Sequence, residues 1–237
     1  MPSVLITGAS RRGGIAAACA LKLGAAGWRV GLNCWPDDDG AVDELLARLR
    51  NLGVLAEVAV ADLDDPAAPT RIFDELEPRV GPFTALIAAH SRDIELALMA
   101  STAEELDRHF AVNARSVALL IQEFARRLQG GEGRIVAFTS DAIRDNVPYG
   151  ASKGALDRIV KAAAIELGPR RIRANCINPG PTETGWITDA LRKEISGASP
   201  LGRPSLPEDS ANLVAYLLSD EGGWITGQLL HSNGGLQ

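Results

Sequence analysis

Short runs of β-branched and apolar residues alternate along the chain with longer stretches in which apolar positions recur every three or four residues. The runs predict strands over residues 3–7, 29–34, 55–61, 85–89, 134–139, 173–178 and 228–232, and the stretches predict helices over 14–26, 40–52, 67–79, 103–128, 149–167 and 207–218. Strand and helix in strict turn give an α/β fold, a doubly wound and mostly parallel seven-stranded sheet with helices on both faces. Right-handed crossovers then gather the carboxyl ends of the strands along one crevice, which is where such sheets bind ligands. One long stretch, 179–207, breaks the rhythm with five prolines and a short helical pattern near 187–195. Its length and position predict a lid over the crevice, spanning 181–206.

Composition narrows the picture without changing it. The 237 residues suit a single domain, and 46% hydrophobic with 23% charged residues is ordinary for a folded globular chain. A net charge of −6 with scattered arginines argues against a nucleic-acid surface. Cys19, Cys34 and Cys176 are far apart, with no spacing suited to a metal, and are expected to be buried reduced thiols. No apolar run is long enough to span a bilayer, and a first strand starting at residue 3 leaves no room for a signal peptide. The expectation is a cytoplasmic protein with no membrane partner.

Two segments carry chemistry. Tyr149 and Lys153, in Tyr-Gly-Ala-Ser-Lys, fall one helical turn apart on one face. A cation there would stabilise a phenolate and make the tyrosine a usable acid near neutral pH. With two tyrosines and four lysines in the chain, chance supplies only roughly 0.03 such pairs. After the first strand comes Thr7-Gly8-Ala9-Ser10-Arg11-Arg12-Gly13-Gly14-Ile15, followed by an alanine-rich helix. Glycines at that place let a pyrophosphate approach the backbone, and the helix N-terminus favours its charge.

Thr7-Gly8 with Gly14-Ile15, Asp62-Leu63, Asn113, Ser140, Tyr149-x-x-x-Lys153 and Asn178-Pro179-Gly180 resemble, in order, the motifs of the classical short-chain dehydrogenases/reductases. The neighbourhood is that of the 3-oxoacyl-acyl-carrier-protein reductase-like members, and the likeness, which covers essentially the whole chain, implies a Rossmann-type fold. Three departures stand out. The glycine turn is two residues longer, with Ala16 in place of its last glycine. Ala88-Ala89-His90-Ser91 replaces the family's Asn-Asn-Ala-Gly. Ser140 and Tyr149 are nine positions apart, so the loop between them is trimmed and the wall of the site is expected to be more open.

The resemblance implies a role for each matching residue. Tyr149 donates a proton, Lys153 depresses its pKa and holds the nicotinamide ribose, Ser140 bonds the substrate carbonyl, and Asn113 binds a water leading from Lys153 to solvent. Gly8, Ser10, Gly14 and Ile15 form the phosphate turn. Asp62 and Leu63 face adenine, Ala89 lines the cofactor cleft, and Pro179, Gly180, Thr182 and Thr184 form the loop over the nicotinamide. The second strand ends Asn33-Cys34-Trp35 with no carboxylate for the adenosine ribose, while Arg11 and Arg12 suit a 2′-phosphate. NADP(H) is therefore favoured. The alternative is NAD(H), with Asp37 or Asp38 on the ribose.

His90 stands where it either touches a ligand or serves as a satisfied structural histidine. His109 and His231 suggest surface-helix and sheet-edge packing, and Trp186 either closes over substrate or packs on its own loop. The reading is an oxidoreductase that interconverts a small-molecule ketone and a secondary alcohol, as a homodimer or homotetramer joined through helices 103–128 and 149–167. Two alternatives are a nucleotide-binding sensor or scaffold without turnover, and a sugar-nucleotide epimerase or dehydratase. The second lacks the residues for its usual C-terminal domain.

Overall fold

A computed structural model describes residues 1–36 and 40–236. Seven strands, β1 (Ser3–Thr7), β2 (Arg29–Cys34), β3 (Ala56–Val60), β4 (Ala85–Ala88), β5 (Gly133–Phe138), β6 (Ile172–Asn178) and β7 (Leu229–His231), form one sheet in the order β3-β2-β1-β4-β5-β6-β7. Every neighbouring pair is parallel. The pleat divides each central strand between two cores. Val4 and Ile6, Val30 and Leu32, and Val136 and Phe138 pack under α1 (Ile15–Ala25), α2 (Ala41–Asn51) and, later in the chain, Pro207–Leu218. Leu5, Leu86 and Ile135 face α3 (Ala68–Val80) and the helices that follow β4 and β5. Helices on both faces make this a single doubly wound domain.

The predicted helix 103–128 is interrupted. It consists of α4 (Ala103–Phe110), a π-helical turn at Ala111–Arg115 and α5 (Ser116–Arg127). Single π turns inside α-helices are frequent at functional sites. Next come α6 (Val147–Leu167), α7 (Asp189–Ala198) and α8 (Pro207–Leu218). Pro148 in the first turn starts α6 earlier than predicted, since proline there gives up only an N–H that has no helical partner. Among the described residues, no helix is long and apolar enough to cross a membrane.

The chain runs outward from β1 through β2 to β3, then returns to place β4 on the other side of β1. The crevice at that reversal separates the segments that follow β1 and β4. The two approach so closely that a Cβ on Gly8, whose φ is +84°, would lie 2.6 Å from the His90 amide nitrogen. Only glycine fits there.

Candidate active site

On the β1 side, the amides of Gly8 and Ala9 both donate to the Asn33 carbonyl at 3.0 Å, and Ser10 Oγ accepts from the Trp35 amide at 2.7 Å. These bonds fix the turn against β2. Gly14 then caps α1 without a side-chain acceptor, and the first turn contains no acidic residue. Its N–H donors are thus arranged for an anion from outside the helix. That backbone cradle at the helix N-terminus fits a pyrophosphate.

The two arginines diverge. Arg11 Nη1 reaches Thr184 Oγ1 across the crevice at 3.4 Å, whereas Arg12 Nε pairs with Glu44 at 3.0 Å at the start of α2. Asn33 is buried, and its Nδ2 donates to the carbonyls of Cys34, Ala59 and Ala61. Its side chain ties β2 to β3 and is spent within the fold. Asp37 and Asp38 lie outside the described residues. Asp62 closes a local turn, Oδ1 accepting from the Asp64 amide at 2.9 Å. Leu63 is buried in the core under α3, and Ala89 is half-buried against the other core.

On the far side of β4, α6 sets Tyr149 and Lys153 on one face, with Lys153 Nζ 5.7 Å from the centre of the tyrosine ring. Lys153 is buried, and Nζ donates to the Phe138 carbonyl at 2.9 Å. Burial brings its pKa down to about 8, against the pull of Cys176, Asp93 and Asp157. The Tyr149 hydroxyl is pushed up to about 12, by burial first and the Asp93 carboxylate second, while its hydrogen bond with Ser140 pulls it back. The lowering expected from the Tyr/Lys spacing is absent in this arrangement. The ammonium is turned to a backbone carbonyl, and burial outweighs it.

Asn113 sits in the π turn and is fully buried. Its Oδ1 accepts from the Arg92 amide at 2.8 Å, and its Nδ2 donates to the Arg92 carbonyl and to Ser152 Oγ, both at 2.9 Å. Ser152 in turn donates to the Tyr149 carbonyl at 2.8 Å. Asn113 therefore bolts the segment after β4 to α6, and its amide is committed to protein partners.

His90 is a structural histidine. Ser116 donates to the Val112 carbonyl, so Ser116 Oγ accepts from His90 Nε2 at 2.8 Å, and Nε2 also reaches the Val112 carbonyl at 3.0 Å. Nδ1 is left to accept from Thr7 Oγ1 at 2.6 Å. One neutral ring thus links the end of β1 to the π turn. Burial, and then the charge of Lys153, hold its pKa down to about 3. His109 corrects the surface reading. It is fully buried because residues 92–94 fold over α4, its Nδ1 donating to the Glu105 carbonyl at 2.6 Å and its Nε2 accepting from the Ile94 amide at 3.2 Å. His231 is exposed on the edge strand β7.

The trimmed loop after β5 lies down on α6. A Cβ on Gly150 would fall 1.9 Å from the Ala142 carbonyl oxygen, which explains the glycine after Tyr149. In the proline-rich stretch, the Asn178 side chain accepts from the Gly180 amide at 3.0 Å, and buried Thr182 donates to the Gly180 carbonyl at 3.0 Å. Ser205 closes the far end on Pro179 and Pro181 through bonds of 2.8 and 2.9 Å. Residues 181–206 thus form a loop pinned at its base, containing α7 and a half-exposed Trp186.

The fold therefore gathers Ser140, Tyr149, Lys153 and Asn113 on one side of the crevice and the glycine turn on the other. Sequence reasoning missed Thr7, Ser116 and Ser152, which tie these parts together, and Asp93 and Asn146, discussed below. Ser152 lies within the Tyr-x-x-x-Lys motif, so its place one position before the lysine was the available signal.

A site of this kind on this fold defines a nicotinamide-dependent oxidoreductase class, and the comparisons agree. A family model described as enoyl-(acyl carrier protein) reductase matches residues 8–237. A Bacillus subtilis (strain 168) protein named uncharacterized oxidoreductase YjdA is 38% identical over 98% of this chain and 95% of its own length. Two solved structures superpose with TM-scores of 0.91. The promiscuous reductase LugOII, described as catalysing keto-reduction at C1 in lugdunomycin biosynthesis, is 30% identical, with 99% of this chain and 96% of that one covered. The angucycline C-6 ketoreductase LanV with bound NADP is 32% identical, with 99% and 95% covered.

The chain belongs to the classical short-chain dehydrogenase/reductase family, and its description as acyl-carrier-protein reductase-like is consistent with the matched family model. It is an oxidoreductase enzyme of a family that uses NAD(P).

Proposed function

We propose that the protein is an NADP(H)-dependent ketoreductase, interconverting a ketone and a secondary alcohol. The observation that carries this reading is Tyr149 sharing a helix face with buried Lys153, whose ammonium lies 5.7 Å from the tyrosine ring centre. When bound, NADP(H) supplies or accepts the hydride. Gly8, Ser10, Gly14 and Ile15 would cradle its pyrophosphate, Arg11 and Arg12 its 2′-phosphate, and Asp62 and Leu63 its adenine. Ala89, Pro179, Gly180, Thr182 and Thr184 would line the nicotinamide end, with Lys153 on the ribose.

Ser140 and Tyr149 hold the substrate carbonyl oxygen between two hydroxyls. Tyr149 gives that oxygen its proton in reduction and takes one back in oxidation. With its pKa raised, the hydroxyl is protonated at neutral pH but a weaker acid than a free tyrosine, so donation depends on stabilising the phenolate as it forms. Lys153, ionised below about pH 8, would stabilise the phenolate left behind. Asn113 holds Arg92 and α6 in register.

The segment 181–206 closes over substrate, and the α4–α6 face, where Phe110 and Ile165 are exposed, joins copies into a dimer or tetramer. The relative LanV, with its bound NADP, supports the cofactor assignment. The test is loss of NADPH absorbance with a panel of cyclic and aryl ketones. The expected result is turnover with NADPH in clear excess over NADH. Tight NADPH binding with no consumption on any ketone would remove the assignment.

A further inference from the structure

Residues 92–96 run beside the start of α6 and are well anchored. The Asn113 amide brackets both backbone polar groups of Arg92, and buried His109 takes the Ile94 amide. The Leu96 carbonyl accepts from the Val147 amide at 2.9 Å, at the first residue of α6. Asp93 therefore has a fixed neighbour on each side. Arg92 does not neutralise it, because its guanidinium forms a two-pronged pair with Glu105 at 2.9 to 3.2 Å.

The Asp93 carboxylate is exposed, and one oxygen accepts from Asn146 Nδ2 at 2.6 Å. Asn146 precedes α6 by one residue and Tyr149 by three, and it is 9% exposed. Its amide orientation is set by that bond, so its Oδ1 is an acceptor, and it has no hydrogen-bond partner. An exposed carboxylate and a buried acceptor without a partner thus lie together at the start of the helix that carries Tyr149, a pairing open to a donor. The effect of Asp93 on Tyr149 and Lys153 agrees with this placement.

We propose that Asp93, braced by Asn146, selects the substrate by accepting a hydrogen bond from a hydroxyl carried close to the reacting carbonyl. The inference rests on the ketoreductase reading and adds a substrate class to it: neutral hydroxyketones, with carboxylated ketones disfavoured by charge. Asp93 is a specificity-determining residue and Asn146 its positioning residue.

The experiment measures kcat/KM with NADPH for matched pairs, hydroxyacetone against butanone and a hydroxytetralone against its methyl counterpart. Wild type, Asp93→Ala, Asp93→Asn and Asn146→Ala are compared. The preference ratio within one preparation is independent of how much of a variant has folded. Wild type should favour the hydroxylated partner by ~10-fold or more, the size expected for a hydrogen bond to a charged group. Asp93→Ala should bring the ratio to near unity through KM, with Asp93→Asn and Asn146→Ala in between. Reduction of both partners with no preference, or a ratio unmoved in Asp93→Ala, overturns this inference and leaves the ketoreductase reading standing. Failure to reduce any of the ketones overturns both.

Discussion

On the α6 side of the crevice a chain of buried polar groups is bonded within the fold. On the α1–α2 side Arg11 and Arg12 make exposed surface contacts. Thr7, His90, Ser116, Asn113 and Ser152 are all buried, and their bonds run without a gap from the end of β1 through the π turn to α6. By contrast Arg12 and Glu44 are each more than half exposed, and Arg11 meets Thr184 only at 3.4 Å. The difference follows from what each side must do. Proton transfer needs groups held to a fraction of an ångström, which a satisfied buried network provides. Recognition of a charged phosphate tolerates looser, solvent-screened contacts.

The contrast breaks most visibly at His90. Replacement by Ala leaves the Thr7 hydroxyl and the Ser116 oxygen buried without their histidine partner, and should cost about 2–4 kcal/mol in chemical denaturation. The pH dependence has a definite sign. Folding holds the His90 pKa down to about 3 against a usual 6.5, so the folded state binds fewer protons between those values. The stability of the native ring is complete above about pH 6.5 and is lost as pH falls toward 3. The stability difference between wild type and His90→Ala should therefore shrink across that window. A difference that stays constant with pH would mean that folding leaves the His90 pKa at its usual value.

A smaller effect is expected on the exposed side. Arg11→Ala and Arg12→Ala should each raise KM for NADPH by ~10-fold relative to NADH, a typical loss for one charge-assisted bond. The Arg12–Glu44 pair is exposed, so Arg12→Ala should change stability by less than about 1 kcal/mol. Equal changes in KM for the two cofactors would refute phosphate recognition there.

The same contrast explains what could be read in the sequence. All seven strands were legible to within one residue at each end, because short β-branched and apolar runs are a local signal. Tyr149, Lys153 and the glycine turn stand out in the sequence by residue type and spacing, and Ser140 only by its place in the family's order of motifs. The π turn was not legible. It lies where His90 bonds the helix from another part of the chain and Asn113 bonds outward to Arg92 and Ser152, and no local period encodes that. His109 looked like a surface residue for the same reason, since the segment that buries it comes from residues 92–94. Asp93 carries no motif, and only its anchored neighbours give it meaning.

The central claim is that the Tyr149 hydroxyl delivers the proton to a substrate carbonyl. Tyr149→Phe keeps the ring and its packing while removing that hydroxyl, so the most direct measurement is single-turnover NADPH oxidation by this variant with a saturating ketone. The account predicts unchanged NADPH affinity with a rate at least ~10²-fold below wild type. Reduction within a few-fold of wild type would show that the proton comes from elsewhere.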